Sequence, residues 1–166
     1  MLLRCAVSIA LAVALASCAS YDGRGLIPGE STEAQVEALM GPSADRRAGP
    51  NGETHRYYSR LPFGREMYVA RFDRDGKLKS IEQRLTEENF AKVRPGVSRA
   101  EDMRALLGPP YRIQKFPRME REIWEYPWRG LTSNRLLLVQ YSYDGVVREL
   151  YSIEDPDGVG QEGDGA

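Results

Sequence analysis

"LIPGESTEAQVEALMGP" occupies Leu26 to Pro42, and "VRPGVSRAEDMRALLGPP" occupies Val93 to Pro110. Pro28-Gly29 aligns with Pro95-Gly96, Ser31 with Ser98, Leu39 with Leu106, and Gly41-Pro42 with Gly108-Pro109, all at an offset of 67 residues. Downstream, Glu53, Tyr57, Phe72 and Asp75-Gly76 align with Glu122, Tyr126, Tyr141 and Asp144-Gly145 at an offset of 69. Two ordered blocks at nearly one offset read as a duplicated unit. The two extra residues are expected between the helix and the first strand, where a loop tolerates them.

Each copy can be built from its residues. Thr32 with Gln35, and Ser98 with Glu101, fit the spacing of a capping box at a helix start. Val36, Leu39 and Met40 recur at helical spacing, as do Met103, Leu106 and Leu107. Gly41 and Gly108 suit a helix end, and the prolines after them forbid continuation. Helices of about nine residues are marginal alone, so their apolar stripes must rest on something. The support is a sheet, with strands expected near residues 54–60, 66–73 and 77–83, then near 123–129, 136–142 and 146–153. The Asp-Gly pairs mark hairpins, and apolar matching favours pairing Phe72 with Leu78 and Tyr141 with Val147. Tyr68, Ala70 and Phe72 then face one helix, and Leu137, Val139 and Tyr141 face the other. A short helix from Glu87 to Lys92 leads into the second copy. The fold class is therefore α+β: two tandem modules, each a short helix on a three-stranded antiparallel sheet. The sheets are expected to lie side by side.

The chain ends say where this unit would operate. "MLLRCAVSIALAVALASCAS" places Arg4 before an apolar run to Leu15 that fits a secretory signal and is too short to span a bilayer. Leu15-Ala16-Ser17-Cys18 looks like a bacterial lipobox, which implies a diacylglyceryl group on the Cys18 thiol. Ala19 in place of aspartate favours the outer membrane by the same resemblance. Cys5 leaves with the leader, so no free thiol remains from the two cysteines. Net charge is −1, or −2 once Arg4 is removed, which gives no electrostatic case for nucleic acid. Residues 19–25 and the glycine-rich acidic tail 154–166 are too polar to bury an apolar face and read as disordered. The division is thus 1–17 signal peptide, 18–25 lipidated linker, 26–85 first module, 86–153 second module and 154–166 tail.

Pro-Gly, a capped helix, Gly-Pro, an aromatic strand and an Asp-Gly hairpin together resemble the SmpA/OmlA family of small outer-membrane lipoproteins. In tandem the module is similar to the β-lactamase-inhibitor-protein fold. The likeness covers about residues 26–83 and 86–153. It implies a periplasm-facing, non-catalytic scaffold or binding module, with envelope proteins such as the β-barrel assembly machinery as partners. An inhibitor-like module binding a periplasmic enzyme is the alternative, although those inhibitors are soluble and disulfide-braced.

The residue inventory points the same way. His55 is the only histidine and aligns with Trp124 in a strand, so a Ser-His-Asp triad has no other base available. No His/Cys cluster has metal-ligand spacing, and no Gly-x-Ser-x-Gly elbow or phosphate-cradling loop occurs. No cofactor and no small-molecule substrate is expected. The alternating charges of Arg118 to Glu125 read as a wet surface. Trp124, Tyr126 and Trp128 project from one strand face, and Pro127 between them marks an edge strand. Packing is the leading reading for Trp124 and Tyr126, whereas Trp128 at the strand end is expected to be exposed. Trp124, Tyr126, Trp128, Arg129 and Tyr143 form the candidate partner surface, with the composition of a binding hot spot.

Overall fold

A computed structural model describes residues 22–61 and 64–157. Cys18, the leader and residues 158–166 of the tail lie outside them. The described residues fold into two four-stranded antiparallel sheets, ordered β1-β2-β3-β4 and β5-β6-β7-β8, with three short α-helices. The first half comprises α1 (Glu33–Met40), β1 (Asp45–Ala48), β2 (Thr54–Ser59), β3 (Met67–Phe72) and β4 (Leu78–Gln83). After α2 (Glu87–Phe90), the second half gives α3 (Ala100–Leu107), β5 (Arg112–Phe116), β6 (Arg121–Arg129), β7 (Asn134–Ser142) and β8 (Val147–Glu154). The class is α+β as expected, but each sheet has four strands and not three. The added strands are β1, "DRRA", and β5, "RIQKF", whose polar sequences carry no apolar alternation.

Equivalent hydrogen bonds recur in the two halves. Gly29 N–H donates to Leu78 O at 2.7 Å, and Gly96 N–H donates to Val147 O at 2.8 Å. Leu78 N–H reaches Ser31 O and Val147 N–H reaches Ser98 O, both at 2.8 Å. Thr32 Oγ1 accepts from Gln35 N–H at 3.3 Å, and Gln35 Oε1 accepts from Thr32 N–H at 2.8 Å, completing the expected capping box. In α3 the cap shifts by one residue: Arg99 N–H donates to Asp102 Oδ2 at 2.8 Å. Ser98 accepts from Arg94 N–H, as Ser31 accepts from Ile27 N–H. Gly41 and Gly108 end their helices at φ +82 and +85, which a side chain rarely adopts. The hairpins pair Phe72 with Leu78 and Tyr141 with Val147.

The ladders correct the alignment. Tyr58 pairs with Tyr68 and Tyr126 with Leu137, so Tyr58 is the counterpart of Tyr126. His55, opposite Arg71, corresponds to Ile123, opposite Gln140, and not to Trp124. One extra residue lies between β5 and β6 and the other between β6 and β7; the helix-to-strand spacing is unchanged.

Val36 and Met40 of α1 pack on Tyr58, Ala70, Phe72 and Leu78, with Tyr68 beside them. Met103 and Leu107 of α3 are fully buried among Trp124, Tyr126, Leu137, Val139 and Tyr141. That same cluster contains Tyr57, Met67 and Val69, which lie on the opposite face of the first sheet from α1. The sheets therefore stack with α3 between them; they do not lie side by side. The order of layers is α1, first sheet, α3, second sheet. Burying each large α3 side chain contributes roughly 1.5–3 kcal/mol.

Two expected disordered segments are in part tied down. Gly23 is buried, and Leu26 N–H donates to Gly23 O at 3.1 Å. Glu154 belongs to β8, and Asp155 is buried, paired with Arg65 of the first half.

Candidate functional site

Alternation along β6 puts Trp124, Tyr126 and Trp128 on the inner face of the second sheet, where all three are buried. The Arg104 guanidinium lies 4.5 Å from the centroid of the Trp124 ring. Tyr141 tilts against Trp124 at 4.7 Å between centroids. The Trp124 indole N–H donates to Glu122. Tyr126 donates its hydroxyl to Gly108 O at 3.3 Å, and burial holds its pKa well above the ordinary phenol value. Trp128 meets Phe90 edge-on at 4.9 Å and donates to Ser152 Oγ at 3.1 Å. At 5% exposure Trp128 is a core residue, which corrects the expectation that it is exposed. Pro127 marks only half an edge. β7 pairs along all of β6, whereas β5 stops opposite Glu125, so the proline sits where no β5 ladder remains.

The exposed members of the expected surface are separated. Arg129 lies at the end of β6, its Nε 3.4 Å from Glu66 of the first half. Tyr143, 59% exposed, follows the far end of β7, and nine residues at ~3.3 Å each put roughly 30 Å between the two. The five candidates do not form one surface.

Two adjoining cavities flank Trp128. One, of about 500 Å³, is lined by Phe90, Trp128, Leu131, Leu137 and Leu150 with Arg135 on its rim. The other, of about 490 Å³, lies between Gln83, Leu85, Thr86, Trp128, Arg129 and Leu131. Leu131, at the tip of the β6–β7 loop, is 96% exposed. Sequence reasoning passed over it, although an apolar residue inside "RGLTSN" is a signal that a loop carries more than a turn.

The outer face of the second sheet is the other open feature. Met67, Val69 and Tyr57 of the first sheet correspond by register to Leu136, Leu138 and Glu125. The first three are covered by α3; Leu136, Leu138, Ile153 and Tyr151 join neither core cluster among the described residues, although Leu136 is buried and Leu138 half-buried. Tyr151 and Ile153 are exposed. At the centre of this face Glu125, 2% exposed, accepts from Arg112 Nε at 2.7 Å and from the Gln114 amide. Its hydrogen bond and charge raise the Arg112 pKa. The wet-surface reading of this stretch fails at Glu125, because neighbouring side chains close over it.

His55 bonds only Glu53 among the described residues, at 3.4 Å and with no hydroxyl in reach. The Lys79 ammonium, then His55, lower the Glu53 pKa. No group of three or more His, Cys, Asp or Glu side chains converges to hold a metal among the described residues. No helix among them is long and apolar enough to cross a membrane.

No family model matches the sequence, and no curated protein matches it. Among solved structures, a DUF4309 family protein (YjgB) from Bacillus subtilis is similar over 81% of this chain and 90% of its own, at 19% identity and a TM-score of 0.31.

Proposed function

We propose that the chain is a lipid-anchored, non-catalytic binding module of the bacterial envelope. Cys18 holds it at the outer membrane, and a partner protein docks on the outer face of the second sheet. The resemblance to SmpA/OmlA lipoproteins points to β-barrel outer-membrane protein assembly as the process. The observation that carries the reading is the uncovered sheet face. In the first sheet Tyr57, Met67 and Val69 receive α3; at the equivalent positions of the second no helix packs, and beside half-buried Leu138 the Tyr151 and Ile153 side chains are exposed near the Arg112–Glu125 pair. An apolar field with a central ion pair is the mixed composition of a non-obligate interface.

A photo-crosslinking amino acid at Tyr151 or Ile153 in intact cells tests this. The expected result is an adduct with a component of the barrel-assembly machinery that Leu138→Glu abolishes. An adduct with one soluble periplasmic enzyme would favour the inhibitor-like alternative. No adduct from either position would remove the reading.

A further inference from the structure

The β6–β7 loop and the start of the described chain share one pole of the molecule. At this pole β2 ends at Ser59, β3 begins at Met67 and β4 ends at Gln83 in the first sheet. In the second sheet β6 ends at Arg129, β7 begins at Asn134 and β8 ends at Glu154. The Arg65–Asp155 and Arg129–Glu66 pairs join the two sheet ends, and Gln83 and Leu131 line the same cavity.

The N-terminal segment runs along β4 away from this pole. Gly23 lies against Ile81, and six residues later the Gly29 N–H reaches Leu78 O. The described chain therefore begins toward the Gln83 end of β4. Cys18 precedes Gly23 by five residues, which span at most about 18 Å when fully extended.

We infer that this pole faces the bilayer and that the Leu131 tip rests in the lipid headgroup region. The inference depends on the anchor at Cys18. Leu131 supplies an apolar tip, and the largely exposed Arg24 and Arg129 side chains, which pair with Asp22 and Glu66, keep guanidinium nitrogens that can turn to headgroup phosphates. The acyl chains supply affinity and Leu131 supplies orientation, because one side chain adds little to two or three acyl chains. The molecule then stands with Tyr143 pointing away from the membrane and the outer face of the second sheet accessible from the side.

A single-thiol probe tests the orientation, since Cys5 leaves with the leader and Cys18 is blocked by lipid. The full chain carrying Leu131→Cys, or Tyr143→Cys as the opposite-pole control, is labelled with an NBD fluorophore in purified membranes. Palmitate incorporation is measured on the same preparation. The expected result is a blue-shifted probe at 131, quenched at least twofold more by shallow spin-labelled lipid than the probe at 143. Palmitate incorporated with an unquenched probe at 131 overturns the orientation and leaves the anchor standing. An unquenched, blue-shifted probe at 131, together with a protein adduct from a photo-crosslinking amino acid placed at 131, assigns the tip to a protein partner and overturns the lipid contact. Absence of palmitate overturns the anchor, and the orientation with it.

Discussion

The hydroxyl of Tyr57 donates to the carbonyl of Ala105, 2.7 Å away and 48 positions along the chain. A strand of the first half thus satisfies a C-terminal carbonyl of the helix that serves the second half. Arg84 Nε does the same for Leu106 O at 2.7 Å, and Tyr126 completes the set at Gly108 O. Helices end with unsatisfied carbonyls, so these three groups close α3 inside the core. α3 belongs to both halves, and the second half lacks part of its core without the first.

Tyr57→Phe keeps the ring in the core and orphans the Ala105 carbonyl. The expected cost is about 1–2 kcal/mol, read as a lower denaturant midpoint with an unchanged slope. An unchanged midpoint would show that water replaces the phenol without penalty.

Tyr141→Phe should behave differently. The Tyr141 hydroxyl is buried without a hydrogen-bond partner among the described residues, whereas its ring packs on Trp124. Removing an unsatisfied buried hydroxyl relieves a desolvation cost, so this variant is expected to match or exceed the parent by up to about 1 kcal/mol. Thermal melts of the two phenylalanine variants side by side make the comparison, and a destabilised Tyr141→Phe would reveal a partner for that hydroxyl.

Alkaline pH provides a third check. Burial raises the pKa of Tyr57, Tyr58, Tyr126 and Tyr141 above the value near 10 of an exposed phenol. Above that pH the unfolded chain loses protons that the folded chain retains, so stability falls as pH rises. Below it these groups contribute no pH dependence. Each tyrosine removes up to about 1.4 kcal/mol per pH unit once its unfolded value is passed. Urea titrations between pH 8 and 11 should show the loss beginning near pH 10, and Tyr141→Phe should make it shallower.

The repeat was legible because its signals are local: Pro-Gly, the Thr32 cap, the helical stripe and the Asp-Gly turns all act within a few residues. The helices and the six longer strands followed from them. β1 and β5 escaped because "DRRA" and "RIQKF" lack apolar alternation and form only by pairing with β2 and β6. The alignment slipped by one because Tyr57 and Tyr58 are adjacent aromatics facing opposite ways. Tyr58 serves its own helix, and Tyr57 serves the next one. That division also hid the stacking, since a face apolar on both sides of β3 (Met67 and Val69 against Tyr68, Ala70 and Phe72) signals two layers. Among the site residues, Trp128 was misplaced because its burial depends on Phe90, 38 positions upstream and in a separate helix.

Trp128→Ala is therefore expected to lower stability by about 3–5 kcal/mol, because it opens a cavity beside Phe90 and removes one of the two donors to Ser152 Oγ. Tyr143→Ala, at an exposed position, should fall within about 0.5 kcal/mol of the parent. Circular-dichroism melts separate the two directly. A stable Trp128→Ala protein would return this ring to the surface.

Asp155 lies one residue past the last strand, where composition alone reads as tail, yet it is buried and paired with Arg65. Its backbone N–H donates to Asn134 O at 3.0 Å, and its Oδ1 accepts from Asp157 N–H at 3.0 Å. Arg65 is itself largely buried, so Asp155→Asn leaves a cation without its counter-charge in a poorly solvated site. The expected cost is about 3 kcal/mol, more than a surface ion pair accounts for. Because the pair ties the loop before β3 to the end of β8, the loss should appear first as faster amide exchange at Glu66, Met67 and Asn134. Replacing both partners, Arg65→Met with Asp155→Leu, removes the orphaned charge and should recover much of the stability. Recovery in the double variant would locate the cost in the uncompensated charge; equal loss in single and double variants would locate it in the backbone bonds that Asp155 makes.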